Sequence, residues 1–121
     1  MNDKELASKL FRVVSEYNPE GLKMVKKAYE MAYEAHDGQK RKTGEPYIIH
    51  PIWVALILTD LKVDTDTLCA ALLHDTVEDT NITLEKIEKE FNKEANSFSM
   101  SSVFMFTPYN ITYMRFFQLD T

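Results

Sequence analysis

The sequence contains a single cysteine, Cys69, so no disulfide can form within the chain. A small secreted scaffold held together by disulfides is therefore excluded, and a reducing cytoplasmic environment is expected. No apolar run approaches the roughly 20 residues that span a bilayer. The charged N-terminal segment also has no apolar core of the kind found in secretory signals. We therefore expect neither a membrane span nor a leader.

Basic residues are also in the minority. The sequence has 14 Lys and Arg against 19 Asp and Glu, which gives a net charge of −5. An acidic chain is poorly suited to nonspecific binding of duplex DNA, whose phosphates attract cationic proteins. One basic cluster, Lys40-Arg41-Lys42, runs against this average. It is either a solvated basic loop or a contact for an anionic ligand.

The composition changes sharply near residue 97. Residues 97–121 hold one basic and one acidic residue, Arg115 and Asp120, but seven of the 14 aromatic residues. We therefore divide the chain into a charged part, 1–96, and an aromatic-rich tail, 97–121. Segments rich in β-formers flank a predicted turn at Thr107–Asn110, which favours a hairpin in the tail. A packed helical tail is the alternative.

The charged part is predicted to be all-α, because its apolar residues recur at helical spacing and no stretch alternates like a strand. The expected helices run from about Leu6 to Val14, from Pro19 (capped by Asn18) to about Asp37, from Pro51 through Leu61, from Asp64 or Thr65 to about Asp79, and from Thr83 through Phe91.

Two of these helices have informative apolar patterns. In the second, the inward side is expected to carry Leu22, Val25, Ala28, Tyr29, Ala32 and Tyr33. In the fourth, residues 68–73 are apolar on all sides, which predicts a central and buried helix. The polar loop 37–49 contains Gly38, Gly44 and Pro46, and is expected to lack regular structure.

The main candidate for chemistry is the segment His74–Asp79, at the end of the most buried helix. Adjacent residues on a helix project about 100° apart, so His74 and Asp75 can both reach one cation beside the helix. The pairs His74/Glu78 and Asp75/Asp79 are spaced i, i+4, which places them on successive turns. A divalent metal would compensate for so many ionisable groups next to an apolar run. The alternative is a solvated acidic helix terminus.

Other histidines and polar groups extend or compete with this interpretation. His50 precedes Pro51, and is either a structural hydrogen-bonding group or a third metal ligand. Mixed imidazole and carboxylate ligation suits Mn²⁺, Fe²⁺ or Zn²⁺, whereas a structural zinc site typically includes thiolates. His36 is interpreted as a structural contact and Cys69 as an inert core residue. Tyr47 either lines the site or anchors its loop.

Three segments together resemble a known family: Ala35–Tyr47 (AHDGQKRKTGEPY), Ile48–Pro51 (IIHP) and Ala70–Thr80 (AALLHDTVEDT). They are similar to the hydrolase domain of the RelA/SpoT homologues, which make and degrade the alarmone (p)ppGpp. That domain belongs to the HD superfamily of metal-dependent phosphohydrolases. The similarity covers roughly residues 5–95, and it implies an all-α HD-type bundle of about five helices, followed by a tail foreign to the family.

The resemblance also implies roles for individual residues. His50, His74 and Asp75 match three of the family's four Mn²⁺ ligands, although another divalent metal can serve. Glu78 and Asp79 match the acidic pair that positions or activates the attacking water. Arg41 and Lys42 match the nucleotide pocket, with Arg41 on the guanine base; these seven residues are our candidate site. The implied reaction removes the 3′-pyrophosphate from ppGpp or pppGpp, giving GDP or GTP and pyrophosphate.

The sequence departs from the family after about Ala95. The fourth family ligand is an aspartate in a motif like Ala-Asp-Arg-Leu-His-Asn, and no such motif occurs here. The foreign tail is typical of an early truncation or a shifted reading frame. If so, helices 2 to 4 keep apolar surface that the tail covers or through which the chain self-associates. A catalytically incomplete module that binds a guanine nucleotide or a protein is therefore the alternative function.

Overall fold

The computed structural model describes residues 2–92, except for the side chains at positions 77–79, 84, 88 and 92. Within residues 2–92 it contains five α-helices and no strand, which confirms the all-α class. The elements are α1 Asp3–Tyr17, a 3₁₀ turn Pro19–Gly21, α2 Leu22–Ala35, α3 Ile49–Thr59, α4 Thr65–Asp79 and α5 Leu84–Asn92. None of the helices in this range has both the length and the apolar character needed to cross a membrane. The tail predicted as a hairpin lies outside the described residues.

Helix α4 lies at the centre of the bundle and packs against both α2 and α3. All six residues from Leu68 to Leu73 are completely buried, as their apolar pattern predicts. Asp64 caps the helix by accepting a hydrogen bond from the Thr67 backbone N–H at 2.9 Å. Each buried leucine contributes about 1.5–3 kcal/mol to folding. The buried apolar segment of α4 ends directly before the polar residues that follow Leu73.

The connection between α1 and α2 is a short turn tied to the start of α4. Asn18 accepts a hydrogen bond from the Gly21 backbone N–H at 3.3 Å, which confirms its predicted capping role. The Asn18 amide also donates to Thr65 Oγ1 at 2.8 Å. Pro19 begins a 3₁₀ turn rather than α2 itself, which starts three residues later at Leu22. Proline fits either kind of first turn, because no intrahelical partner is needed there for its missing N–H.

Three details differ from the sequence prediction. Tyr33, expected on the buried side of α2, is 40% exposed, and its ring packs on Tyr29. Leu61, expected within the third helix, is 71% exposed, because α3 ends at Thr59 and a turn follows. Helix α3 also begins at Ile49, two residues before Pro51, since a proline is tolerated anywhere in a first turn.

The polar loop between α2 and α3 forms a small hairpin-like structure with one isolated antiparallel bridge, between Lys40 and Pro46. Its tip is closed by the Gly44 backbone N–H, which donates to the Arg41 carbonyl at 2.8 Å. Gly44 has φ 91°, a left-handed conformation that glycine adopts without steric cost. The predicted lack of regular structure is therefore correct except for this bridge and for Ile49, which begins α3. The bridge returns the chain to the start of α3, where His50 lies.

Candidate metal centre

His50 reaches the core because it lies in the first turn of α3, directly after the hairpin. Its backbone N–H donates to the Tyr47 carbonyl at 3.0 Å, which continues the turn into the helix. The flanking residues Ile49 and Pro51 are buried, and His50 itself is only 4% exposed. The sequence placed His50 just before the helix. Its true position inside the first turn directs it towards the neighbouring helix α4.

His74 and Asp75 enter the same region from α4. They follow the fully buried segment Leu68–Leu73, and their own exposures are 2% and 0%. A buried carboxylate costs several kcal/mol unless other groups compensate for its charge. The interpretation of residues 74 and 75 as part of a solvated helix end is therefore wrong.

The three side chains converge on the Asp75 carboxylate. Nε2 of His50 lies 3.1 Å from Oδ2 of Asp75, and Nε2 of His74 lies 2.9 Å from Oδ1. One ligand atom from each residue can be chosen so that all three lie within 4.8 Å of one another. Two ligands placed at right angles and about 2.1 Å from one ion are about 3.0 Å apart. The observed separations therefore suit a shared divalent cation.

The hydrogen bonding of His74 supports the same conclusion. Nδ1 of His74 lies 2.8 Å from the Ala71 carbonyl oxygen, which can only accept a hydrogen bond. Nδ1 is therefore the protonated nitrogen, and in the neutral ring Nε2 directs its lone pair at the carboxylate. Such a backbone hydrogen bond is the usual way in which a metal-binding imidazole is oriented. The donor set, two imidazoles and a carboxylate, fits Mn²⁺, Fe²⁺ or Zn²⁺.

The remaining histidine lies beside this cluster but is not part of it. His36 is buried, with Nδ1 3.0 Å from Gln39 Oε1 and Nε2 3.3 Å from Thr76 Oγ1. Both ring nitrogens thus have partners other than the carboxylate, which confirms His36 as a structural contact. Sequence reasoning did not identify Thr76; its position directly after the His-Asp pair was the available signal.

Tyr47 connects the loop to the cluster, which settles the alternative that the sequence left open. Its hydroxyl donates a hydrogen bond to Oδ2 of Asp75 at 3.2 Å. Its backbone N–H donates to the Gln39 carbonyl at 2.9 Å, across the hairpin. Tyr47 therefore both lines the site and anchors the loop.

The other four predicted site residues are not brought into the cluster by any described contact. Arg41 is half-buried and Lys42 is exposed, both in the hairpin that leads to His50. Glu78 and Asp79 belong to the last turn of α4, but their side chains lie outside the described part of the chain. The roles of all four in catalysis or substrate binding remain predictions.

Cys69 lies one and a half turns before His74 on the same helix and is completely buried. Burial raises the pKa of its thiol, and the nearby carboxylates of Asp66 and Asp64 raise it further. A neutral buried thiol is a poor metal ligand and a poor nucleophile. The structure thus confirms Cys69 as an inert core residue.

Comparison with known proteins identifies relatives of this chain. The HD domain family matches residues 28–98. The guanosine-3′,5′-bis(diphosphate) 3′-pyrophosphohydrolase of Aquifex aeolicus is 48% identical over 93 residues, which is 77% of this chain and 13% of that protein. The bifunctional (p)ppGpp synthase/hydrolase SpoT of Escherichia coli is 47% identical over 89 residues, 73% of this chain and 13% of SpoT.

A plant relative shows the same pattern of partial coverage. The chloroplastic protein RSH1 of Arabidopsis thaliana is 55% identical over 83 residues, which is 68% of this chain and 9% of RSH1. The chain thus spans 9% to 13% of the length of these curated relatives. The matched region contains the hairpin, the start of α3 and the whole of α4, and so includes the candidate metal centre. The chain belongs to the HD domain family and is, over its N-terminal part, a homologue of the RelA/SpoT proteins.

Proposed function

We propose that this chain is a (p)ppGpp 3′-pyrophosphohydrolase domain that uses Mn²⁺ or another divalent cation. The observation that carries the proposal is the convergence of His50 and His74 on the two oxygens of the buried Asp75. The names of the Aquifex aeolicus and Escherichia coli relatives supply the substrate. The proposed reaction adds water across the bond between the ribose 3′ oxygen and the pyrophosphate, giving GDP or GTP and pyrophosphate.

The chemistry of the substrate explains why such a site is needed. A divalent cation, when bound, would neutralise phosphate oxygens and make water more acidic. In the proposal, Glu78 and Asp79 orient the attacking water and accept its proton. Arg41 stacks its planar guanidinium on the guanine, and Lys42 places a positive charge near phosphate. Both basic residues lie in the hairpin that leads directly to His50, which supports a common site.

The direct test is release of pyrophosphate from ppGpp by the purified chain with Mn²⁺. We expect His74→Ala and Asp75→Asn each to abolish this release, because each removes one of the three ligand side chains. The matched control is Asp64→Asn, the same chemical change at the opposite end of α4, where asparagine can still cap the helix. Absence of turnover in a cooperatively folded wild-type chain would reject the hydrolase proposal.

A second function is favoured by the number of ligands. Among the described residues, His50, His74 and Asp75 are the only such cluster, whereas the family pattern has a fourth ligand. A site limited to these three described ligands could bind a guanine nucleotide, or a protein, without cleaving the nucleotide. Calorimetry with ppGpp in the presence and absence of Mn²⁺ separates the two proposals. Metal-independent binding without turnover favours the binding module.

The remaining features of the proposal concern the whole chain. We propose that residues 1–96 form the HD-type unit and that 97–121 are a separate tail, on the basis of their different compositions. The expected partner is the guanosine tetra- or pentaphosphate, and neither DNA nor a membrane is expected as a partner. Self-association and a cytoplasmic location also stay predictions, the first tested by sedimentation at several protein concentrations.

A further inference from the structure

Two backbone hydrogen bonds hold Tyr47 in place, independently of the contacts that its side chain makes with the site. Its N–H donates to the Gln39 carbonyl at 2.9 Å, and its own carbonyl accepts from the His50 N–H at 3.0 Å. The first bond closes the hairpin, and the second lies in the turn that begins α3. The Cα of Tyr47 is therefore fixed relative to the metal-binding candidate His50.

The ring of Tyr47 is also confined on two sides. The His36 ring lies against it, with centroids 4.7 Å apart and planes tilted by 30°. The His50 ring lies on another side, with centroids 5.9 Å apart and a tilt of 60°. His36 is itself held by Gln39 and by Thr76, the residue after Asp75. The ring thus lies between His36, the residue that caps the C-terminal end of α2, and His50 in the first turn of α3.

The hydroxyl of Tyr47 acts on a side chain that would otherwise turn easily. The last torsion of an aspartate is broad, so burial alone does not fix the plane of its carboxylate. In this site Oδ2 of Asp75 accepts the Tyr47 hydroxyl at 3.2 Å and faces His50 Nε2 at 3.1 Å. Oδ1 is then left facing His74 Nε2 at 2.9 Å. The tyrosine hydroxyl thus adds a third contact to the two imidazole contacts that hold the plane of the carboxylate.

We propose that Tyr47 is a positioning residue, whose hydroxyl fixes the Asp75 carboxylate in the orientation that a cation shared with His50 and His74 requires. The inference rests on the proposed metal-dependent function and extends it to a residue outside the three candidate ligands. Partners that orient metal ligands in this way typically change metal affinity about 10- to 100-fold when they are removed.

The test compares Tyr47→Phe with Tyr17→Phe. The first change keeps the ring, and with it the packing against His36, but removes the hydroxyl that holds Asp75. The control also removes a hydroxyl from a half-buried tyrosine, which there donates to the Val63 carbonyl at 3.0 Å, away from the cluster. Binding of Mn²⁺ is followed by loss of the electron paramagnetic resonance signal of the free aqueous ion. We expect Tyr47→Phe to weaken binding about 10- to 100-fold and Tyr17→Phe to leave it unchanged.

A second measurement needs no metal. The chain has three histidines, so their ring nitrogen resonances can be assigned and compared in the metal-free proteins. Tyr47→Phe should shift the resonances of His50 and His74 more than those of His36, because only the first two face the carboxylate. Unchanged His50 and His74 resonances, or unchanged Mn²⁺ affinity in a Tyr47→Phe chain whose wild type binds the ion, would overturn the inference.

The two measurements also separate this inference from the proposed function. If the wild-type chain binds neither Mn²⁺ nor another divalent cation, the metal-dependent function fails. The nitrogen resonances then still decide whether Tyr47 orients the carboxylate. Thermal unfolding of the two tyrosine variants completes the comparison, since equal melting temperatures show that the effect on the site is not a general loss of stability.

Discussion

The burial of Asp75 is costly for folding and therefore favours a functional over a stabilising interpretation of the candidate site. A carboxylate without any exposed surface is costly for folding, and replacing buried ionic groups by apolar ones is often neutral or stabilising. Asp75 nevertheless faces two imidazoles and accepts a tyrosine hydroxyl. A protein selected for stability alone would continue the leucine-rich core of α4 through this position. The cost is understandable if a cation binds there.

The burial of a single core residue can be tested at Cys69, which lies one and a half turns earlier on α4. Burial raises the pKa of its thiol, and Asp66 and Asp64 add to the effect, so the folded state favours the neutral thiol. The associated stability is complete below the unfolded-state pKa of about 8.5 and declines as the pH rises above it. We expect a thiol reagent at pH 8.5 to label the native chain more than about tenfold more slowly than the chain in urea. Equally fast labelling in both states would mean that the core of α4 is open to solvent.

Individual site residues differ in how far the sequence reveals them. His74 and Asp75 were predictable, because two ionisable residues directly after six apolar ones require an explanation. The contact between Tyr47 and Asp75 was not, since it joins residues 28 positions apart and depends on how the hairpin closes. The link between His36 and Thr76, 40 positions apart, was missed for the same reason. Local sequence patterns indicate which polar groups need partners. Tertiary packing determines which residues those partners are.

At the scale of the elements, apolar spacing and caps predicted the existence and order of the helices. They did not predict every helix end. Asn18 and Asp64 act as predicted caps, because each side chain accepts from a backbone N–H three residues on. Helix α3, in contrast, starts two residues before the predicted Pro51. The turn that begins at Pro46 and Tyr47 already provides the first hydrogen bonds, so the proline is not needed to start the helix.

The turn between α1 and α2 offers a test of how tightly the elements pack. A Cβ atom added at Gly21 would overlap the Thr65 hydroxyl and lie 2.6 Å from Asn18 Nδ2. We expect Gly21→Ala to lower the free energy of unfolding by about 1–3 kcal/mol, as overpacking does in other buried sites. Urea denaturation measures the change.

A double variant checks that the clash is the cause. Thr65→Ala removes the hydroxyl that the new methyl group would meet. The combined destabilisation of Gly21→Ala and Thr65→Ala should therefore be smaller than the sum of the separate effects. Strict additivity would show that Gly21 is not packed against the start of α4.

At the scale of the whole molecule, the candidate site joins parts of the chain that no local interaction connects. His50 belongs to α3, and His74 and Asp75 belong to the central helix α4, which packs against both α2 and α3. The hairpin before α3 adds Tyr47 to the same point. The site thus exists only when the bundle is assembled. A ligand bound there must favour the folded state over the unfolded one.

Cation binding at the cluster is therefore coupled to folding of the bundle. A cation at 100 times its Kd adds about 2.7 kcal/mol to the free energy of unfolding if the unfolded chain does not bind it. We therefore expect Mn²⁺ to raise the melting temperature of the metal-stripped chain, by an amount that grows with the Mn²⁺ concentration. Asp75→Asn should lose this dependence, whereas Asp64→Asn, the same change at the far end of α4, should keep it. If both variants respond equally, the cation stabilises the bundle from another position, and the cluster of His50, His74 and Asp75 is not its site.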